Sequence, residues 1–316
     1  MSAFFKKISK RKSKRKYRPK LIVVVGPTSS GKSDLSVDIA LKSNGEVVSV
    51  DSRQVYRGLN IGSGKITKEE MKGVPHHLLD VANPKQVYTA AQFKKDAEKA
   101  VRYIVQKGKV PILVGGTGFY LSALLGEVSL PSVKPNKALR ASLEKLSNKE
   151  LLKQLEKLDP ERASSIDQHN TPRIIRAIEI AHSIGKTPKN VKEFPYETLK
   201  IGINVEHKIL EKRINARLIT RLRKGMLAEA KRLHNPPAGG GLSWKRMESL
   251  GLEYRYMSRH LKGDISKKEM TEMLKIKIRQ YAKRQRTWFK RDKEITWFKL
   301  SEAKKIEKTV SDFLAS

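Results

Sequence analysis

The sequence predicts an α/β fold, a parallel sheet covered by helices and carrying a mainly helical insertion. Three observations lead there. Short apolar runs at Leu21–Val25, Val47–Val50 and Val110–Val114 alternate with helical patterns over the first 125 residues, the order expected of β-α-β units. The first run enters Gly26-Pro27-Thr28-Ser29-Ser30-Gly31-Lys32-Ser33, a glycine turn that opens a helix. From about Asn136 the apolar period becomes helical, with Leu139, Leu143 and Leu146, then Leu151, Leu155 and Leu158.

Each element can be justified in order. Residues 1–18 are basic and poor in apolar side chains, and are expected to form a disordered basic arm; residues 1–20 hold ten Lys or Arg and no acid. A core is expected over residues 19–135, completed by a strand near 199–205 and by residues 272–316. Its first strand is Leu21–Val25; a helix follows near Ser33 on Leu35, Ile39 and Ala40, and another spans Ala90 to Gln106. The mainly helical insertion is expected over 136–271, interrupted by the strand near 199–205. Beyond that strand, Leu210, Ile214, Leu218 and Leu222 mark a buried helix stripe, with Arg213, Arg217 and Arg221 beside it. Prolines and glycines break the chain at Asn235–Leu242. The last long helix, about Glu269–Lys290, carries a stripe of Ile278, Tyr281, Ala282, Gln285, Trp288 and Phe289, flanked by basic ridges that face either RNA phosphates or water. Ile295–Leu300 reads as a closing strand.

The chemistry starts at the glycine turn. Gly26 to Ser33 fit G-x-x-x-x-G-K-[ST], the P-loop of nucleotide-binding (ATP-binding) proteins, whose backbone N–H groups curl around phosphate oxygens. Lys32 supplies a point charge and Ser33 a hydroxyl for Mg²⁺. The helix that starts there turns its positive end to the same anion. A plain strand-to-helix turn would explain the glycines but not Lys32 and Ser33. The second strand ends in a carboxylate, Asp51, a candidate general base beside the phosphate cradle.

Further segments carry a family resemblance. Asp51-Ser52-Arg53-Gln54-Val55-Tyr56 followed by Asn60-Ile61-Gly62-Ser63-Gly64-Lys65 resembles the second signature of the tRNA dimethylallyltransferases, or tRNA isopentenyltransferases. The likeness continues through Gly73–Asp80, Tyr88–Phe93, Pro111–Leu121, Arg173–Glu179 and Arg279–Gln285 with Thr287–Phe289, in the family's order. The resemblance implies a P-loop NTPase-like fold and transfer of the dimethylallyl group of dimethylallyl diphosphate to N6 of adenosine 37 in the tRNA anticodon stem-loop. It implies Asp51 as base, Thr117 as a contact to the target nucleotide, and a P-loop, with Lys32 and Mg²⁺, that holds the leaving diphosphate without consuming ATP. Arg213 and Arg217 become ligands of the diphosphate or RNA. Asp51, Ser52, Arg53, Gln54, Thr117, Pro172, Arg173, Ile174, Ile175, Arg176 and the stretch Glu248, Ser249, Leu250, Gly251, Leu252, Glu253 correspond to tRNA-binding positions. Arg140 matches another, with a solvated helix arginine as the equal alternative. Around Gly251 the chain departs from the family's Ile-Gly-Tyr-Lys/Arg-Glu, reading Ser249-Leu250-Gly251-Leu252-Glu253.

Composition bounds the rest. A formal charge of +35 on 316 residues calls for a polyanionic partner, which the resemblance makes tRNA. With no cysteine there are no disulfides and no thiolate zinc site, and His76 and His77 lack partners at metal-ligand spacing. No run approaches a transmembrane span, so a cytoplasmic, monomeric enzyme away from membranes is expected. A small-metabolite kinase, an enzyme prenylating free adenine nucleotides, and an RNA-binding module without activity are the alternatives. The charge disfavours the first two, and Lys32, Ser33, Asp51 and Thr117 disfavour the third.

Overall fold

In the computed structural model, which describes residues 18–186, 196–236 and 239–316, six strands form one parallel sheet among the described residues. They are β1 (Lys20–Val25), β2 (Gly45–Val50), β3 (His76–His77), β4 (Val110–Gly115), β5 (Glu197–Ile203) and β6 (Thr296–Phe298), in the order β3-β2-β4-β1-β5-β6. Every residue of β2 and all of β1 after Lys20 are buried. A parallel sheet with both faces covered needs such continuous apolar strands, where a half-solvated one would alternate. The expected basic arm lies outside the described residues, apart from Arg18.

Register places the site. Val25 pairs with Gly115, and Gly115 in turn with Val50. The carboxyl ends of β1, β4 and β2 therefore finish level, and the loops that follow them emerge side by side. Ligands of open α/β sheets gather at this edge.

After β1 comes α1 (Lys32–Lys42), then α2 (Lys68–Met71), α3 (Ala90–Gln106) and α4 (Gly118–Leu124). Helix α3 has the expected bounds, and a Thr89–Gln92 capping box fixes its start. The chain divides into two units, Ser122–Phe194 and the remainder. The smaller holds α5 (Lys137–Leu143), α6 (Asn148–Leu158), α7 (Pro160–Ser165) and α8 (Thr171–Ile184) around Leu143, Leu151, Leu155, Ile174 and Ile178.

The larger unit adds α9 (His207–Arg223), α10 (Met226–His234), α11 (Trp244–Leu250), α12 (Leu252–Lys262), α13 (Lys267–Phe289) and α14 (Ala303–Ala315) to the sheet. Leu210, Ile214 and Leu218 of α9, Met257 of α12, and Leu274 and Ile278 of α13 share one core with Ile22, Ile112 and Ile201. The helical region expected over 136–271 is thus split. Its first part has a core of its own, whereas α9 to α12 bury their stripes in the core of the sheet. The closing strand is shorter than expected, and α14 after it carries Ile306 and Val310 into the same core.

Candidate active site

Three loop ends meet around a cavity of about 240 Å³ whose walls include Thr28, Lys32, Ser33, Asp51, Gly116 and Arg217. The P-loop supplies the first wall. Gly31, at φ 89°, turns the chain into α1, a left-handed conformation that suits glycine. Lys32 Nζ donates to the Pro27 carbonyl at 3.1 Å. Burial lowers Lys32 from the usual lysine range to about 8, the charge of Arg217 acts in the same direction, and Asp51 partly offsets them. An ammonium held short of counter-charge in this way is a receptor for an anion.

Asp51 follows the end of β2. Its Oδ1 accepts from Arg53 N at 2.7 Å and Gln54 N at 3.2 Å, an arrangement that fixes the carboxylate against its own turn. Oδ2 has no hydrogen-bond donor among the described residues, which leaves it as the oxygen for a ligand on this cavity wall. Thr117 follows β4 and ties into the same turn: its N–H donates to Val50 O at 3.2 Å, and its Oγ1 accepts from Ser52 N at 3.1 Å. The parallel pairing of β2 and β4 therefore sets Thr117 beside Asp51.

Helix α13 forms another wall with Ile278, Tyr281 and Gln285. Burial and the charge of Asp51 raise the Tyr281 phenol above the usual tyrosine range, against a side-chain hydrogen bond with Thr117. Arg217 and Arg221 come from α9. Arg217 Nη2 donates to Gly64 O at 3.0 Å, and Nη1 lies 3.5 Å from Thr28 Oγ1 in the P-loop. Desolvation and the neighbouring charge of Arg221 lower the pKa of Arg217. Arg221 donates to Ile61 O at 2.6 Å and pairs with Glu253 at 3.0 Å.

Several expected residues converge here. Ser52, Arg53, Gln54, Leu250, Gly251, Leu252 and Glu253 all line the cavity, and Arg53 Nε donates to the Leu250 carbonyl, joining two of the expected RNA-binding stretches. At the departure from the family pattern, Gly251 and Leu252 both have positive φ, 74° and 33°. Glu248 pairs with Lys262 at 3.2 Å, and with Ser249 it does not line the cavity. Arg213 is also absent from the wall and is exposed; Arg221 lines it instead. Residues four apart on a helix drift by about 40° and rise about 6 Å, so Arg213 lies roughly two turns from Arg221 along α9 and off the direction it faces.

In the smaller unit, Arg140 and Arg176 meet on the buried carboxylate of Glu179. Arg140 donates to it at 3.0 and 2.7 Å, and Arg176 also bonds it. Burial alone would raise Glu179, but these bonds outweigh it and hold the carboxyl at about 2. Pro172 and Arg173 are exposed on the first turn of α8, whereas Ile174 and Ile175 belong to the core of the unit. An apolar stripe at helix spacing has taken those two side chains inside, so the exposed part of this expected stretch is Pro172 and Arg173.

Arg221, Tyr281, Gln285 and His76 are among the cavity residues that have no functional assignment from the sequence. In the sequence Arg221 lies beside an apolar helix stripe, Tyr281 and Gln285 lie within one, and His76 has no partner at metal-ligand spacing. Gln285 carried a signal, since a buried amide within an apolar stripe needs partners. His76 Nδ1 lies 2.9 Å from the Val74 carbonyl, so that nitrogen carries the proton; Nε2 is buried without a partner, and burial lowers the ring's pKa. Trp244 stacks on His234 with centroids 3.5 Å apart and so packs between helices.

For Mg²⁺, Ser33 offers an oxygen ligand on the cavity wall, and the described residues contain no cluster of three or more acidic, His or Cys ligands. That donor set fits Mg²⁺, which keeps its waters and takes further oxygens from substrate phosphates.

Comparison with known proteins gives a consistent result. A family model described as IPP transferase matches residues 54–292. The tRNA dimethylallyltransferase of Anoxybacillus flavithermus is 36% identical over 300 residues, covering 93% of this chain and 95% of that protein. That of Bacillus cereus strain AH187 is 36% identical over 297 residues, covering 91% and 92%. Among solved structures, the tRNA isopentenylpyrophosphate transferase of Bacillus halodurans aligns with a TM-score of 0.70 at 35% identity, covering 94% of this chain and 97% of that one. A eukaryotic dimethylallyltransferase acting on tRNA aligns at 0.76 with 27% identity, covering 89% and 74%.

Proposed function

The chain belongs to the IPP transferase family, and from that premise we propose that it moves the dimethylallyl group of dimethylallyl diphosphate onto N6 of adenosine 37 in tRNA. It is a transferase that prenylates tRNA adenosine. The observation that carries the reading is the placement of Lys32 and Asp51 on walls of one cavity at the level ends of β1 and β2.

The geometry supports the following roles. P-loop N–H groups, the start of α1, Lys32 and Arg217 receive the diphosphate and stabilise the charge it gains as the allylic C–O bond breaks. The C–N bond forms as Asp51 takes the N6 proton through Oδ2, the oxygen not engaged by its own turn. Thr117 and Tyr281 stand beside the carboxylate and orient the amine. The products are N6-(dimethylallyl)adenosine and diphosphate. Mg²⁺, held by Ser33 and the diphosphate, would add Lewis-acid stabilisation of the leaving group. A formal charge of +35 supports an RNA substrate over a free nucleotide.

Adenosine 37 ordinarily stacks in the anticodon loop, so reaching Asp51 requires its extrusion from the stack. No helix among the described residues is long and apolar enough to cross a membrane, and the same reading makes the protein a cytoplasmic monomer. Incubation with tRNA, Mg²⁺ and dimethylallyl diphosphate, followed by mass analysis of the nucleosides, tests the assignment. The expected product is adenosine heavier by one dimethylallyl group. Modification of free AMP but not tRNA, or nucleotide hydrolysis in place of allyl transfer, would overturn it.

A further inference from the structure

We propose that Glu229 is a positioning residue for the reaction: held inside the fold, it shapes the 60–64 loop so that the outward carbonyls of that loop aim Arg217 and Arg221 at the P-loop cavity. The inference rests on reading the cavity as the diphosphate site.

Glu229 lies in the first turn of α10 and is 2% exposed. A buried carboxylate needs its lone pairs answered, and here four donors answer them. Oε2 accepts from Asn60 N at 3.0 Å and Ile61 N at 2.7 Å; Oε1 accepts from Gly62 N at 2.8 Å and Tyr254 Oη at 2.8 Å. Three successive backbone N–H groups thus curl around a carboxylate as such groups curl around an anion.

With its N–H groups turned inward, the loop presents carbonyls to α9. Ile61 O and Gly62 O both accept from Arg221, and Gly64 O accepts from Arg217 at 3.0 Å. Arg217 then reaches Thr28 of the P-loop. The path runs from Glu229 through the loop backbone to two guanidiniums, with hydrogen bonds joining the side chains to the loop at both ends. Gly64 shows how tight the last link is. A Cβ there would stand 2.4 Å from Arg217 Nη2, and the residue has φ 62°.

Glu229→Gln keeps size and polarity but places an NH₂ where a carboxylate oxygen now accepts two bonds, so the loop must open on one side. The probe is inorganic diphosphate with Mg²⁺, titrated calorimetrically into the full chain. Glu229→Gln should weaken binding by about 10–100-fold, the scale of an ångström-sized misplacement of a binding group. Affinity for tRNA and the melting temperature serve as readouts of general damage. In an Arg217→Ala, Arg221→Ala background the same change should cost almost nothing further, because the groups it positions are gone. Gly64→Ala displaces Arg217 without touching Glu229 and should reproduce the loss, so the inference stays testable should Glu229→Gln fail to fold. Normal diphosphate binding by both single variants overturns the positioning role alone, as does a full additive loss in the arginine-free background. A wild-type chain that takes up no diphosphate overturns the site reading, and this inference with it.

Discussion

Gln285 Oε1 accepts from the Thr28 backbone N–H at 2.8 Å across 257 residues of sequence, while its Nε2 donates to Gly116 O at 2.9 Å. One buried amide of α13 therefore fastens the P-loop to the turn that carries Thr117. The fit leaves no spare room: a Cβ on Gly116 would stand 2.0 Å from Gln285 Nε2.

Gln285→Leu is expected to leave Thr28 N and Gly116 O without partners, costing about 1–3 kcal/mol of stability. Turnover should fall by about tenfold or more, since both sides of the site lose their common anchor. Gln285→Glu should restore only the Thr28 bond, because its carboxylate repels the Gly116 carbonyl. Steady-state kinetics with thermal melting would check this. Equal, wild-type turnover in both variants would show the anchor to be dispensable.

Asp51→Asn is a clean test of the base, because asparagine keeps an Oδ1 that can accept from Arg53 N and Gln54 N. Turnover should drop by about 2–4 orders of magnitude. Affinity for tRNA should change little. Single-turnover rates alongside filter binding would separate the two; a normal rate would remove Asp51 from the chemistry.

Under the proposed function, Lys32 should give diphosphate binding a pH dependence. Its pKa of about 8 lies below the ordinary lysine value, and a bound anion favours the charged form. Binding should therefore take up a proton and weaken as pH rises through 8. In Lys32→Met this trend should flatten, with affinity lower throughout. For folding the sign is opposite. Between about 8 and the ordinary value the unfolded chain holds more protons at this position, so Lys32's contribution to stability rises with pH across that window. Calorimetric titration of diphosphate at several pH values would decide the first point.

Glu46, fully buried in β2, accepts from Lys107 at 2.6 Å and Lys109 at 2.8 Å and lies 2.7 Å from His77 Nε2. Burial would raise it, but these partners hold it at about 2. The lowered value means stability that is present above the ordinary carboxylate range and lost as pH falls toward 2. Glu46→Gln should destabilise by about 1–3 kcal/mol near neutrality and reduce the acid dependence of unfolding. Urea melts at pH 7 and pH 4 would measure both. Activity at permissive temperature should survive, since Glu46 is absent from the cavity wall.

By itself the sequence determined what local physics controls. Apolar runs fixed the buried strands, the Thr89 and Gln92 pair fixed where α3 starts, and the spacing of Gly26, Gly31, Lys32 and Ser33 fixed a phosphate loop between a strand and a helix. Asp51 was legible as a candidate base because it directly follows a strand in a recognisable segment. Tertiary structure alone decided which distant groups complete the site. Arg213, Arg217 and Arg221 are equally spaced beside one helix stripe, and only the rotation of α9 against its neighbours puts the latter two on the cavity wall and leaves Arg213 off it. Ile174 and Ile175 sit in a stretch that looked like RNA surface, but the core of their own unit claimed them. Gln285 and Glu229 meet their partners across 257 and about 168 residues of chain. A buried amide or carboxylate announces that it needs hydrogen-bond partners, but any backbone group can supply them, so the partners follow from the packing of helices against the sheet.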